Sequence, residues 1–186
     1  MMLIQIVSLI LDVIVGVLAG GCLLRLYMQL QGIPFANPIG RFVFAVTDWL
    51  VLPLRRVLPA MGRWDTASLV GAYTLELVQY GILWLLTGDL RAAGILPALA
   101  AFGLVRMMIS GLTGLVIVNA IMSWTQANSL MADVIERLCA PVLRPFRRLI
   151  PLVGGIDLSP LALLVSLQVA AIVLTTAQRM FTGIAG

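Results

Sequence analysis

Four long apolar stretches, separated by polar, arginine-bearing segments, dominate the chain. They run over about Met2 to Leu24, Thr66 to Leu86, Leu96 to Met122 and Leu158 to Ala177. A membrane-spanning helix needs roughly 20 mostly apolar residues at about 1.5 Å each, and every stretch meets that length. The segments between them are patterned differently. Leu130, Met131, Val134, Ile135, Leu138 and Val142 recur at steps of three and four, with Asp133, Glu136, Arg137 and Arg144 opposite. Earlier in the chain Ile39, Phe42, Val43, Val46, Trp49 and Leu50 do the same against Arg41, Asp48 and Arg55. That layout predicts, in each segment, a helix of about 14 residues that lies flat in the membrane interface or is re-entrant. Trp49 suits the headgroup level. Pro53 and Pro145 are expected to end or kink these helices, because proline lacks an N–H and clashes with the preceding turn.

Composition supports the same class. Of 186 residues, 61% are apolar and 11% charged, against about 25% charged in a soluble domain. Eight acids and twelve bases cannot cover a water-facing globule of this size. The chain therefore reads as an integral membrane protein rather than a soluble enzyme or DNA-binding domain. There is no His, which removes the usual general base and the commonest metal ligand. Carboxylates are not paired at a fixed spacing, no Ser or Cys stands with a base, and no glycine loop precedes a basic residue. No catalytic, cofactor or metal site is expected, and the chain is not expected to be an enzyme. Cys22 falls in an apolar span and Cys139 in a loop, which argues against a disulfide. No basic residue precedes the first apolar run, and the run is long for a signal peptide, so it reads as a span. Ala19-Gly20-Gly21-Cys22 mimics a lipoprotein cleavage site only loosely.

Arginine placement predicts orientation. Arg25, Arg41, Arg55, Arg56 and Arg63 lie between the first two spans, and Arg137, Arg144, Arg147 and Arg148 between the last two. The link between spans two and three holds only Arg91. The positive-inside rule puts the two long segments in the cytosol, with both termini and the Arg91 link outside. Arg179, just past the fourth span, is the one dissent.

The two arginine-rich segments match each other. Pro53-Leu54-Arg55-Arg56-Val57-Leu58-Pro59 aligns with Pro145-Phe146-Arg147-Arg148-Leu149-Ile150-Pro151, and at the same offset of 92 Gly62 meets Gly154 and Asp65 meets Asp157. The shared pattern is P-x-R-R-x-x-P-x-x-G-x-x-D. Upstream, Asn37 and Asn128 match only after a one-residue shift. Each half reads span, cytosolic segment, span, so the halves share one orientation and form a parallel repeat. The expected fold is an all-α membrane protein: four transmembrane helices from two parallel (helix–interfacial segment–helix) repeats, residues 1–92 and 93–186.

At this motif the chain resembles the YggT (YlmG) family of membrane proteins, here as two tandem copies. The block from Pro145 to Asp157, followed by Leu158-Ser159-Pro160-Leu161, carries the resemblance most completely. The first copy departs at Met61, Arg63 and Trp64, where the second has Val153, Gly155 and Ile156. The resemblance covers about Leu3 to Ala177. Resemblance to bacterial members implies an inner-membrane protein linked to osmotic tolerance, potassium homeostasis and cell-division loci. Resemblance to plastid relatives implies roles in cofactor assembly and nucleoid distribution.

Three sets of residues are candidates for function. Arg55, Arg56, Arg147 and Arg148 would hold anionic lipid phosphate or dock an acidic or phosphate-bearing partner. Nucleic-acid binding is not expected, because no stacking aromatic accompanies both copies. Asp65 and Asp157 would N-cap the second and fourth spans, with Pro160 in the first turn of the fourth.

Asp12, Glu76, Arg106 and Gln168 are polar positions inside the spans, where ionisable groups are costly and are paired or functional. Asp12 and Arg106 fall at comparable outer-half depths, so Arg106 is expected to pair with Asp12 or to reach Glu76. Glu76 and Gln168 stand at the repeat offset. They would make interhelical hydrogen bonds, or line a proton or cation site with Asn119 and Asp12. Gly16, Ala19, Gly20, Gly103, Gly111 and Gly114 would let helices approach closely.

Two functions remain in view. One is a membrane scaffold or assembly factor that binds lipid, another membrane or cytosolic protein, or a second copy of itself. The other is a small ion or osmolyte conduit or its regulator.

Overall fold

The computed structural model describes residues 2–58, 62, 64–88, 90–124, 129–150 and 157–185. Six α-helices follow one another: α1 (Met2–Gln31), α2 (Pro38–Val57), α3 (Thr66–Thr87), α4 (Leu96–Trp124), α5 (Leu130–Leu149) and α6 (Ser159–Ala185). A 3-10 turn, Leu90–Ile95, leads into α4, and no strand is present among the described residues. Four of the helices, α1, α3, α4 and α6, are long and apolar enough to cross a membrane. The chain is a multi-pass membrane protein.

The spans are where the apolar pattern puts them, but two run further. Nothing breaks α1 before Gly32 and Pro34, so it continues through Arg25 to Gln31. At 30 residues it is about 45 Å long, well beyond a hydrocarbon core of about 30 Å. Gly32 closes it at φ 64, with Gly32 N–H donating to Gln29 O and Ile33 N–H to Met28 O. Likewise α6 passes Ala177 and Arg179 and ends at Ala185.

The helices between spans are longer than expected, 20 residues each, and they start and end at the repeat offset of 92. Asn37 caps α2 by accepting from Gly40 N–H at 2.9 Å, with Pro38 at the first helical position. Ser129 caps α5 by accepting from Ala132 N–H at 3.2 Å. Asn128, Pro59, Pro151, Arg63, Gly154 and Gly155 lie outside the described residues. Pro53 and Pro145 do not end their helices; they sit inside the last turns of α2 and α5, as Pro141 sits inside α5. Each proline removes one backbone hydrogen bond. The turn nevertheless closes through Leu58 N–H to Leu54 O and Ile150 N–H to Phe146 O.

Packing repeats between the halves. The first span packs on the second in each half (α1 on α3, α4 on α6), and the intervening helix packs on both. The halves meet through α3 against α4, α1 against α4 and α1 against α5. Val15, Ala19, Cys22, Val51 and Ala72 fill the first core. Val116, Ile135, Cys139, Leu143 and Leu163 fill the second. Met28, Ile33, Val43 and Leu138 join the two. Both cysteines are free and buried, and Cys139 is in α5, not in a loop.

Exposed leucine, isoleucine and valine side chains such as Leu9, Val13, Val169 and Ile172 cover the outer faces of α1 and α6. On a soluble protein such a surface would aggregate; on a spanning helix it is the face that meets lipid. Of the small residues expected at helix crossings, Gly16, Gly111 and Gly114 face open space. The tight α1–α2 crossing is at Gly21, where a Cβ would lie 2.9 Å from Val46.

Candidate functional site

The arginine motif is first of all an internal tie. Arg55, in the last turn of α2, donates from Nη2 to Asp65 Oδ2 at the head of α3. In the second half Arg147, in the last turn of α5, donates from Nε to Asp157 Oδ2 at 3.0 Å. Both ties join residues ten apart. The first arginine of each pair is thus engaged by the aspartate that ends the motif. Arg56 and Arg148 are exposed and make no ion pair or hydrogen bond among the described residues. The four-arginine surface expected from sequence is therefore two clasps and two free side chains.

The first clasp is the deeper one. Asp65 is fully buried and also lies 3.6 Å from Arg25 Nε. Arg25, 2% exposed, donates from Nη1 to Thr47 Oγ1 at 2.9 Å and to Asp48 Oδ1 at 2.6 Å, and its guanidinium stands 4.6 Å above the Phe44 ring. Gln29 Oε1 accepts from Arg55 at 3.3 Å. Two arginines and two aspartates from α1, α2 and the head of α3 thus neutralise one another, with Arg25 and Asp65 buried and Arg55 and Asp48 reaching the surface. Burial alone would raise the Asp65 carboxyl. Hydrogen bonds from Arg55 and Ser68, with the Arg55 charge, hold it below the usual carboxylate range. Asp65 N-caps α3 as expected, accepting from Ser68 N–H at 3.3 Å and from Ser68 Oγ at 2.7 Å.

The second clasp lies nearer the surface. At the repeat offset Cys139 and Ala140 stand where the first half has Thr47 and Asp48, while Ile117, at the offset from Arg25, is exposed and its neighbour Val116 is buried. Cys139 packs in an apolar core with Val116, Ile135, Leu143 and Leu163, and its thiol donates to Leu115 O at 3.4 Å. Desolvation pushes that thiol up to about 11, with Arg147 and Glu136 acting weakly in opposite directions. Glu136 stands 4.0 Å from Arg147. Asp157 does not occupy the cap position. It precedes it, accepting from Ser159 N–H at 2.9 Å, while the Leu158 carbonyl receives the first helical bonds from Leu161 and Ala162. The chain enters α6 one residue later, and Pro160 falls in the first turn. Burial raises the Asp157 carboxyl less than the bonds from Ser159 and Arg147 lower it, so it too sits below the usual range.

The intramembrane polar residues meet partners other than those expected. Asp12, exposed on α1, accepts from Gln79 Nε2 of α3 at 2.5 Å. Arg106 of α4 donates to the Tyr80 hydroxyl of α3 at 3.1 Å. Arg106 makes no ion pair with Asp12 or Glu76: Gln79 of α3 holds Asp12 and Tyr80 of α3 holds Arg106. Glu76 is 1% exposed, with Oε2 lacking a hydrogen-bond partner. It is tucked against α4 at Gly103, where any Cβ would collide with the carboxylate. Gln168, its repeat counterpart, is exposed on α6 and bonds to none of these groups. Asn119 is buried toward the other end of α4. The polar site inside the membrane thus belongs to the α1–α3–α4 interface alone. No group of three potential ligands for a metal ion occurs among the described residues.

A model of the CCB3/YggT family matches residues 2–86 and 98–178. The chain belongs to this family. Its YggT relatives include the uncharacterised protein YggT of Escherichia coli (strain K12), 42% identical over 151 residues, covering 79% of this chain and 77% of that one. An uncharacterised protein of Vibrio alginolyticus is 32% identical over 80% of this chain and 82% of its own length. One of Pseudomonas aeruginosa is 31% identical over 87% and 84%. No solved structure matches the chain. The two stretches that match the YggT family model each contain one clasp.

Proposed function

We propose that this YggT-family protein is a non-enzymatic scaffold or assembly factor of the bacterial inner membrane. Its arginine-rich ends face the cytosol, its termini lie outside, and Arg56 and Arg148 dock a partner or anionic lipid. The observation that carries this reading is the division of labour inside each arginine pair. Arg55 and Arg147 are held by Asp65 and Asp157, and their neighbours project freely from the same helix turns. The clasp fixes where the free guanidinium stands, and guanidinium suits bidentate contact with carboxylate or phosphate. The test is a mild-detergent pull-down with mass spectrometry, comparing wild type with Arg56→Ala/Arg148→Ala at matched membrane levels. The clasps remain in that variant, so a partner lost from it is lost at the surface. An unchanged partner set sinks the reading.

A second reading rests on Glu76. A buried carboxylate with an unpartnered oxygen, beside Asp12, Gln79 and Arg106, is the arrangement that a proton or cation site would use. On this reading the protein is an ion or osmolyte conduit or its regulator, and Glu76→Gln abolishes flux in proteoliposomes while leaving the pull-down unchanged. Equal flux from the variant and wild type removes it.

A further inference from the structure

A cavity of about 280 Å³ opens between α1 and α4, lined by Gly20, Leu24, Tyr27, Leu30, Met107 and Gly111 among others. It is almost wholly apolar. The Tyr27 hydroxyl is already engaged, donating to Leu138 O at 2.8 Å. From Gly20 to Leu30 the groove follows α1 for about 15 Å, half of a hydrocarbon core of about 30 Å. It is one leaflet deep.

The face of α1 that forms this groove carries Gly20, Leu24, Tyr27 and then Gln31, at helical steps of four, three and four. Gln31 lines a second, polar cleft of about 240 Å³, with Gly32, Ile33, Arg137, Pro141 and Arg144. The apolar groove and the polar cleft therefore follow one another along a single helix face. Arg137 and Arg144 stand two turns apart on α5, both exposed. Unlike Arg55 and Arg147, neither makes an ion pair or hydrogen bond among the described residues. The carbonyls of Met28 and Gln29 at the end of α1 are taken by Ile33 and Gly32 N–H, which reduces the negative field there.

We infer that the groove and the cleft together hold one anionic phospholipid, its acyl chain between α1 and α4 and its phosphate between Arg137 and Arg144. Charge selects this occupant over a second copy of the chain. The protein carries a net charge of +4. At this end of the bundle Asp48 and Asp65 are held by Arg25 and Arg55 and Asp157 by Arg147, Glu136 lies 4.0 Å from Arg147, and Asp133 at the start of α5 makes no ion pair among the described residues. A second copy has little negative charge left to set against two bare guanidinium groups, whereas a phosphodiester matches them. The inference goes beyond the docking role of Arg56 and Arg148 and uses neither residue.

The experiment is native mass spectrometry of the full chain in mild detergent, titrated with phosphatidylglycerol or with phosphatidylcholine of the same acyl chains. One phosphatidylglycerol per chain is expected. A basic residue at an anionic surface contributes about fivefold, so the preference over phosphatidylcholine should be about 30-fold for the pair. Arg137→Gln with Arg144→Gln should bring phosphatidylglycerol down to the phosphatidylcholine level. Gly111→Leu should weaken both lipids, since a Cβ at Gly111 meets nothing within 4 Å and the added side chain fills the groove.

Equal retention of the two lipids by wild type overturns the inference, and that comparison needs no variant to fold. So does full phosphatidylglycerol binding by the Arg137/Arg144 variant, or a dimer that Gly111→Leu dissociates, which would give the groove to a second copy.

Discussion

The two clasps use the same residue types at the same spacing, yet their loss should differ several-fold in cost. Asp65 is the test. Replacing it with Ala leaves Arg25, whose side chain is 3% exposed, with Asp48 as its one counter-charge, and leaves half-buried Arg55 with Gln29 but no counter-charge. Removing one partner of a buried ion pair costs about 3–5 kcal/mol, because a charge remains without its counter-charge. Losing the cap of α3 adds about 1 kcal/mol. Asp65→Asn keeps an oxygen for Ser68 and loses only the charge, so it should be milder by about that last 1 kcal/mol.

Asp157 is 28% exposed and Arg147 41%, so water screens the second pair. An exposed pair is worth about 0–1 kcal/mol. At about 2–4 °C per kcal/mol for a chain of this length, Asp65→Ala should lower the melting temperature in detergent by about 10–20 °C. Asp157→Ala should lower it by less than about 4 °C. The assay is thermal unfolding of each purified full-length variant by circular dichroism. Equal shifts at Asp65 and Asp157 would refute the account, since Asp65 is the buried one, caps its helix and faces a second arginine.

Other expectations follow from the same geometry. Asp65 and Asp157 have folded values below the unfolded value of 3.8, so their stabilisation is present above about pH 4 and is lost as pH falls through the folded values. The melting temperature should stay level from about pH 7 to 5 and drop below about pH 4, and Asp65→Asn should flatten the drop. Cys139 and Cys22 are buried, and the Cys139 thiol is raised to about 11. Neither should react with maleimide at pH 8 until the chain is unfolded in detergent, and rapid labelling of the native protein would contradict the packing of α5. Gly103→Ala should destabilise by about 1–3 kcal/mol, because its Cβ meets the Glu76 carboxylate, while Gly111→Ala should be nearly neutral. Paired thermal melts of the two variants check this.

What the sequence makes legible is what depends on periodicity and count. The apolar runs mark four spans, the three-and-four spacing marks α2 and α5, and the repeat offset marks their equivalence down to the first and last helical residue. What it hides is long-range pairing. Arg25 looks like an orientation signal at a helix end, because the positive-inside rule asks how many arginines lie on a side and not which acid neutralises each one. Its partners Asp48 and Asp65 come from two other helices. Asp12 and Arg106 fail for a related reason. Depth along a helix was readable, but rotation about its axis was not, and rotation sets Gln79 against Asp12 and Tyr80 against Arg106. The clasp itself did leave a signal: arginine and aspartate stand ten apart in both copies, a separation that survives where the residues between them change.

That constancy bears on how the family can vary. A cross-link between two points of a chain removes most of the orientational freedom of the segment between them, and the entropy of closing the segment depends only slowly on its content. Once Arg55 holds Asp65, and Arg147 holds Asp157, the intervening residues are no longer required to encode the angle at which the next span enters the bilayer. Met61, Arg63 and Trp64 stand in one copy and Val153, Gly155 and Ile156 in the other, yet the clasp forms in both, and the next helix starts within one residue of the repeat offset. The clasp ties the two ends of the segment together whatever stands between them, so the residues in between can differ from copy to copy.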